Sequence, residues 1–441
     1  MKKWGFLFFE AMNIPSLYSI FQEHPVITTD SRNIPENSIF FALNGENFNG
    51  NAFASESLSK GASYAVVDQA EFAVSNQFIL VPDVLLCLQQ LARFHRDQLG
   101  LPILAITGTN GKTTTKELVA AVLSKKFKVN FTQGNLNNHI GVPLTLLSMN
   151  KDTEFGVVEM GANHPGEIKI LCEIANPDFG MITNIGKAHL EGFGSFEGVV
   201  KTKSELYDFL RNKRGRCFLN ADNSLLFNQA QGLDQICYGE STEYFMPGEL
   251  ASTDNYLVVK ALFTKGWLYL KSKLIGDYNF ENLLAAACIG KYFKVDPLNI
   301  QEALAEYTPS NNRSQLIRKE KNTIIMDAYN ANPTSMMAAL SNFANFKNDQ
   351  KCIILGDMLE LGETSAAEHQ TIVDFIEDQN FSEVFLIGPY FMNTRDRTQK
   401  EKFDNVELLS NYLKTQPIEN RLILIKGSRG IHLEKILELL P

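Results

Sequence analysis

Two rhythms of apolar residues alternate along the chain. Short, nearly continuous apolar runs at 38–43, 63–67 and 78–81 are separated by polar turns, and the first segment closes at 84–98 with apolar residues every three or four positions. The first rhythm suits buried strands, the second helices with one apolar face. From residue 101 the alternation becomes regular: runs at 101–106, 156–160 and 179–183 interleave with helical patterns at 113–125, after Pro165 and at 195–211. Such alternation predicts βαβ units and a mainly parallel sheet covered by helices. Residues 213–275 are richer in strand-like runs, at 217–219, 256–263 and 266–270, and a helix is predicted at 279–293. The polar stretch 308–313 interrupts the pattern. Beyond it come strands at 323–327, 352–356, 384–388 and 422–426, with helices after Pro333 and from Thr364. The expected fold class is α/β in three domains, at 1–98, 99–309 and 310–441.

A length of 441 residues suits about two to four domains, and 44% hydrophobic residues supply ordinary packed cores. A formal charge of −9 without a dense basic run argues against a nucleic-acid partner, so any charge that meets phosphate is local. No run approaches the roughly 18 apolar residues of a membrane span. Cys87, Cys172, Cys217, Cys237, Cys288 and Cys352 form no C-x-x-C pair, and several sit in apolar runs, which predicts buried free thiols in a reducing compartment. The apolar stretch at the start is too short for a signal peptide and is interrupted by Glu10. The expected location is cytoplasmic, with residues 1–11 an extension ahead of Met12.

Chemistry concentrates at Ile106-Thr-Gly-Thr-Asn-Gly-Lys-Thr-Thr-Thr-Lys-Glu117, an apolar strand, a glycine turn and a helix start. Backbone N–H groups of Gly108, Thr109, Asn110, Gly111 and Thr114 would converge on phosphate oxygens, Lys112 would reach the terminal phosphates of ATP, and the Thr113 hydroxyl would ligate magnesium. The general G-x-x-x-x-G-K-[ST] pattern wants glycine where this chain has Ile106. Three further motifs end predicted strands: Glu159 in Val157-Val-Glu-Met-Gly, His189 in a glycine-rich loop, and the polar Gly134-Asn-Leu-Asn-Asn138. Magnesium wants hard oxygen donors, which makes Thr113 and Glu159 a coherent pair, with His189 on a second ion. Taken singly, such a glutamate is as well explained by a salt bridge or a cap, and the histidine by a structural hydrogen bond. Lys201 and Lys203 read as solvated lysines on a helix face, and Asn279 and Asn282 as helix caps. Arg313 and Asp327 are candidates to meet nucleotide from the far side of the 308–313 connection.

Taken together, these motifs resemble the Mur ligase family, ATP-dependent amide ligases of peptidoglycan precursor synthesis. Thr29-Asp-Ser-Arg32, Phe41-Ala-Leu-Asn-Gly-Glu46, Glu159-Met-Gly-Ala-Asn-His164, Ala188-His-Leu-Glu-Gly-Phe-Gly194, Asp327-Ala-Tyr-Asn-Ala-Asn-Pro333 and Leu355-Gly-Asp-Met-Leu-Glu-Leu-Gly362 carry the likeness from about Thr29 to the C-terminus, together with the phosphate and 134–138 loops. The family's own loop spelling, G-T-N-G-K-T-T, accounts for Ile106. The spelling is most similar to the branch that joins D-alanyl-D-alanine to a UDP-MurNAc-tripeptide.

The resemblance implies a small α/β UDP-sugar domain, a central P-loop ATPase domain with a parallel sheet, and a C-terminal Rossmann-like domain that helps hold ATP and the dipeptide. It implies two Mg2+ ions on Thr113, Glu159 and His189, and catalytic roles for Lys112, His189, Arg313 and Lys203, the last as a carbamate formed with carbon dioxide. Asn279, Asn282, Arg313 and Asp327 would contact ATP, and Ser31, Arg32, Asn135, Asn137, Asn138, Tyr329 and Asn330 the other substrates. A monomer is expected. Three positions depart from the family's habit: Tyr278 and Asn51 stand where histidine is common, and Asn312 where glycine is. On the residues alone a sister Mur ligase, a folylpolyglutamate synthase-like ligase and a P-loop kinase stay open as alternatives.

Overall fold

In the computed structural model, residues 13–253, 256–309, 312–398 and 400–441 are described. The chain divides into two compact units, one of Met1–Ala105, Phe127–Gly161 and Glu167–Phe179, the other of Ile106–Lys126, Ala162–Gly166 and Gly180–Pro441. The expected extension at 1–11 lies outside the described residues. The α/β class holds, with mainly parallel sheets in each unit.

The first unit opens with helix Ile14–Glu23 and a sheet in the order Val26–Thr28, Ser38–Phe41, Ala62–Val67, Phe78–Leu80, parallel throughout. Ser38–Phe41 is buried at every position, as a continuous apolar run in a parallel sheet requires. Helix Val84–Leu99 starts on Asp83, which accepts from Leu86 N at 2.8 Å, and stops at Gly100 with φ 63°. Its buried stripe, running from Val84 through Cys87, Leu88 and Leu91 to His95 and Arg96, belongs to the helix that packs on Gly141–Leu147 and Glu167–Ala175. Arg96 makes that stripe an anchor. Its guanidinium meets Asp178 Oδ2 at 2.7 Å, and the same oxygen accepts from Ile103 N at 3.0 Å, fixing the start of strand Ile103–Thr107. Parallel strands Val129–Phe131 and Phe155–Glu159 also lie in this unit, the second buried along its length.

In the second unit, strands run in the order Gly266–Lys271, Val258–Phe263, Met246–Ser252, Asp234–Gly239, Arg216–Asn220. The first two pairings are antiparallel and the next two parallel. Five strands therefore occupy 216–271 where the apolar pattern marked three. Asp234–Gly239 begins on polar residues, and Met246–Ser252 contains Pro247, Gly248 and Glu249, so neither reads as an apolar run. Helices Pro297–Glu306 and Val406–Thr415 are likewise additions to the expected set.

A six-stranded sheet follows, in the order Gln315–Arg318, Thr323–Asp327, Leu422–Lys426, Lys351–Gly356, Glu383–Ile387, Glu401–Phe403. Only the first pairing is antiparallel. Successive residues face opposite layers: Ile325, Ile353, Leu355 and Leu424 pack with helices Pro333–Ala344 and Ser365–Glu377, whereas Ile324, Ile354, Ile423 and Ile425 pack with Val406–Thr415 and Leu433–Leu439. All six cysteines are free. Burial pushes the Cys87 and Cys217 thiols up to about 12, so they stay protonated. Cys237 is the exception to the expected burial, because alternation in its strand turns it away from buried Ile236 and Tyr238.

Candidate functional site

Strand Ile103–Thr107 is buried throughout and ends where Gly108, at φ 141°, turns the chain. A Cβ at 108 would lie 2.0 Å from Thr183 Oγ1, and one at Gly111 (φ 78°) 2.5 Å from Asn282 Oδ1, so both positions need glycine. Helix Lys112–Ser124 begins immediately after, and its first N–H groups and dipole make an anion-binding end. Asn110 is pinned through its backbone: its N–H donates to Asn184 Oδ1 at 2.9 Å, and its carbonyl accepts from Asn184 Nδ2 at 3.1 Å and Thr183 Oγ1 at 2.6 Å. Lys112 Nζ donates to the carbonyls of Gly108 (2.8 Å) and Thr109 (3.0 Å), which holds an ammonium over the loop. Thr113 is buried at the helix start.

Asn279 and Asn282 do not cap their helix with side-chain bonds. Asn282 Oδ1 instead accepts from Thr115 Oγ1 at 3.0 Å beside Gly111, and Asn282 Nδ2 donates to Asn279 Oδ1 at 2.8 Å, while Asn279 Nδ2 donates to Ile275 O. Asn282 thus braces the start of helix Lys112–Ser124 beside Gly111, and Asn279, just ahead of helix Phe280–Tyr292, holds Asn282 in place.

Within the first unit, Glu159 closes its strand with 1% exposure. Asn137 Nδ2 donates to Glu159 Oε1 at 2.8 Å, and Thr132 Oγ1 accepts from the Glu159 N–H at 3.0 Å. Of the neighbouring expected contacts, Asn138 Oδ1 accepts from Ile140 N and Gly141 N at the approach to helix Gly141–Leu147, whereas Asn135 is exposed. Arg32 is exposed and pairs with Asp30, and its hydrogen bonds hold that carboxyl down at about 2; the Ser31 carbonyl accepts from Lys60 Nζ at 3.0 Å. Asn51 is fully buried and uses its whole amide internally: Nδ2 donates to Asp68 Oδ1 at 2.8 Å and Oδ1 accepts from Asp68 N at 3.0 Å.

In the second unit His189, at φ 50°, closely meets the Glu360 carboxylate through Nδ1, and that carboxyl is lowered, chiefly by its contact with His189. Lys203 departs from the solvated expectation: it is 2% exposed, with Nζ 3.5 Å from Ala162 O and 5.4 Å from the Phe193 ring centroid. Lys201, two residues away, is exposed as expected.

The Arg313 guanidinium lies 3.8 Å from the Tyr329 ring centroid and Arg429 5.6 Å from it. Asp327 accepts from Ser314 N at 3.1 Å and from Lys426 Nζ at 2.5 Å, and Lys426 also reaches Asn330 O at 3.5 Å. Tyr278 bonds Ser314 Oγ at 2.9 Å through its hydroxyl, which burial raises well above the phenol range. Asn312 sits at φ 55°, a conformation that asparagine tolerates better than most residues, so the departure from glycine keeps the backbone shape. Asn184, Asn332, Glu360 and Lys426 are partners that the sequence reading passed over. Asn332 and Glu360 lay inside motifs that carry the family likeness, and Lys426 had a signal of its own, a charge ending an otherwise apolar strand.

The second unit therefore gathers a glycine turn on a helix N-terminus, a lysine held over it, and a ring of asparagines, a set suited to a nucleotide triphosphate. Residues 106–290 match the family model of the Mur ligase middle domain, and residues 312–429 that of the Mur ligase glutamate ligase domain. The UDP-N-acetylmuramoyl-tripeptide–D-alanyl-D-alanine ligase of Bacillus subtilis is 34% identical over 430 residues, covering 93% of this chain and 92% of its own. Among solved structures, MurF from Acinetobacter baumannii superposes with a TM-score of 0.82 at 29% identity, covering 93% of this chain and 92% of that one. MurF from Thermotoga maritima in complex with ADP gives 0.83 at 26% identity, covering 94% and 96%. A likeness that runs the length of both chains and agrees with the loop's own chemistry leaves one conclusion, that the chain belongs to the Mur ligase family.

Proposed function

We propose that this chain joins D-alanyl-D-alanine to UDP-N-acetylmuramoyl-tripeptide at the expense of ATP, giving the pentapeptide precursor of peptidoglycan. The observation that carries the reading is 34% identity across 93% of the chain to an enzyme of that name, on a fold that brings the phosphate loop and its asparagine partners together. The terminal carboxylate of the tripeptide attacks the γ-phosphate of ATP, giving an acyl phosphate and ADP. The amine of the dipeptide then attacks the acyl carbon, expels phosphate and loses a proton as the amide forms. Negative charge builds on transferring oxygens in both steps, where Lys112, the helix N-terminus and Arg313 act by position and charge.

Magnesium fits the donors present. Thr113 offers a hydroxyl and Glu159 a buried carboxylate already oriented by Asn137, while the Glu360 carboxylate on His189 Nδ1 is the arrangement that orients a ligating imidazole through its other nitrogen. These residues would hold two ions, which supply charge neutralisation to the phosphates. Buried Lys203 is the candidate for carboxylation by carbon dioxide. Asn279, Asn282, Arg313 and Asp327 would contact the adenosine and phosphates of ATP, and Ser31, Arg32, Tyr329 and Asn330 the other substrates, in domains bounded at 98/99 and 309/310. The reading goes with cytoplasmic work by a monomer and a part in wall growth, cell shape and division. Among the described residues no helix is long and apolar enough to cross a membrane.

The test is phosphate release from Mg-ATP with UDP-MurNAc-tripeptide, with and without D-alanyl-D-alanine, and with single amino acids as controls. Release that needs the dipeptide, with a UDP-pentapeptide mass, is expected. Release driven by a single amino acid would assign a sister ligase instead.

A further inference from the structure

Asn332 ends the Asp327-Ala-Tyr-Asn-Ala-Asn332 turn and begins helix Pro333–Ala344. Its buried amide does two jobs at once. The oxygen accepts from Ser335 N at 2.9 Å, half of a capping box completed by Ser335 Oγ accepting from Asn332 N at 3.1 Å. The nitrogen donates to Asn110 Oδ1 at 2.8 Å, in the phosphate loop, 222 residues away along the chain. A cap needs only an acceptor, and serine, threonine or aspartate serves as well. The donor is required only by the second bond.

The two ends of that bond are differently placed. Asn110 is clamped through its backbone by Thr183 and Asn184, so its side chain reports the position of the loop that meets phosphate. Asn332 is two residues from Asn330, whose carbonyl, like the Asp327 carboxylate, is held by Lys426. The first turn of the same helix adds a parallel link, Lys187 N donating to Thr334 Oγ1 at 3.2 Å, and the 186–187 segment returns to the loop through Gly186 N donating to Thr109 Oγ1 at 3.0 Å. The phosphate loop, the 184–187 segment and the helix start thus close a ring of hydrogen bonds.

We infer that Asn332 is a positioning residue that couples the phosphate loop to the Asp327–Asn332 turn, so that nucleotide binding orders the acceptor side of the site and acceptor binding tightens nucleotide in return. The acceptor part of this inference rests on the ligase reading; the coupling to nucleotide does not. Serine at 332 keeps the cap and loses the reach to Asn110, whereas alanine loses both, which separates the helix role from the coupling role.

Amide hydrogen exchange over residues 327–336, with and without ADP, tests the coupling directly. ADP is expected to slow exchange there in the native chain and to leave it unchanged in Asn332→Ser, while the variant's ADP affinity moves less than about threefold. In the steady state the dipeptide KM of Asn332→Ser should rise roughly tenfold at saturating ATP, and the ATP KM should rise with it at saturating dipeptide, a shift within the usual range of intersite coupling. Asn110→Ala should raise it similarly, and the double variant no further. Three outcomes would overturn the inference: equal slowing by ADP in both proteins, no slowing in the native chain, or a melting temperature lowered by Asn332→Ser as much as by Asn332→Ala. Should the chain show no need for the dipeptide, the exchange comparison still decides the coupling, so the two readings fail separately.

Discussion

Asn137 Nδ2 donates to Glu159 Oε1 at 2.8 Å, across 22 residues of sequence, onto a carboxylate that is 1% exposed. Removing the donor by Asn137→Ala leaves the carboxylate less fixed and is expected to raise the magnesium requirement about 10- to 100-fold, the usual effect of losing an orienting partner. Asn137→Asp, which sets a second carboxylate beside the first, should be worse. Asn135→Ala changes an exposed side chain in the same loop and should titrate with magnesium like the native chain. Activity against magnesium concentration, run on all three, separates these expectations.

Lys203 and Lys201 offer a paired test of the carbamate. Lys201→Ala alters an exposed side chain and should leave kcat within about twofold, in line with surface substitutions. Lys203→Ala removes a 2% exposed side chain and should lower kcat by about 100-fold or more, with part of it restored by short-chain carboxylic acids that occupy the space. Full activity in Lys203→Ala would end the carbamate assignment.

Asn51 stands where the family commonly has histidine, and its amide is spent on Asp68, Asn44 and Asn49. Asn51→Ala should therefore destabilise the first unit by about 2–3 kcal/mol, because the Asp68 carboxylate and backbone N–H lose partners in a buried setting. Urea unfolding of the native and variant chains reads the difference. A change in UDP-substrate KM at unchanged stability would assign Asn51 to the ligand instead.

Much of this molecule was legible because parallel strands are buried on both faces and so write themselves as apolar runs. Thr323–Asp327 and Leu422–Lys426 coincide with their expected bounds, and Ile103–Thr107 differs by little. Met246–Ser252 escaped because its antiparallel partner covers one edge while Pro247, Gly248 and Glu249 dilute the pattern. At the site, loop chemistry was readable from glycine and lysine spacing, but the roles of neighbours were not. Asn279 and Asn282 look like caps in one dimension; in three, Asn282 braces the helix start beside Gly111 and Asn279 holds it in place, and the Asn332–Asn110 bond joins residues that no local pattern connects.

His95 sets a pH dependence for the first unit. It is 5% exposed, bonded to Met149 O at 2.9 Å and to the Tyr18 hydroxyl at 3.2 Å, and burial lowers its affinity for a proton. With the folded value below the unfolded one, near 6.5, the native state binds fewer protons than the unfolded chain as pH falls through that window. Stability is thus full above about pH 6.5 and declines as pH drops from there toward the folded value. Melting temperatures measured from pH 8 to 5 should fall more steeply for the native chain than for His95→Gln, which keeps a hydrogen-bonding side chain without titrating. Parallel curves would remove His95 as the source.

Glu360 gives the sharpest separation between orienting a histidine and merely supporting a loop. Its carboxylate meets His189 Nδ1, and its carbonyl accepts from Glu191 N at 3.4 Å, so the side chain acts on the ring while the backbone holds the turn. Glu360→Gln keeps an acceptor for Nδ1–H and the same size, and should retain most of kcat with a modestly raised magnesium requirement. Glu360→Ala frees the ring to rotate and change tautomer, and should lower kcat and raise the magnesium requirement together, by about 10-fold or more. Because the backbone bond survives in both, their melting temperatures should agree within about 1 °C, a difference worth about 1 kcal/mol in a chain this long. Nitrogen NMR of the His189 ring provides the readout independent of turnover: Nδ1–H should dominate in the native chain and in Glu360→Gln, and give way to a tautomer mixture in Glu360→Ala. Identical ring spectra in all three would mean that Glu360 supports the loop and leaves the histidine to orient itself.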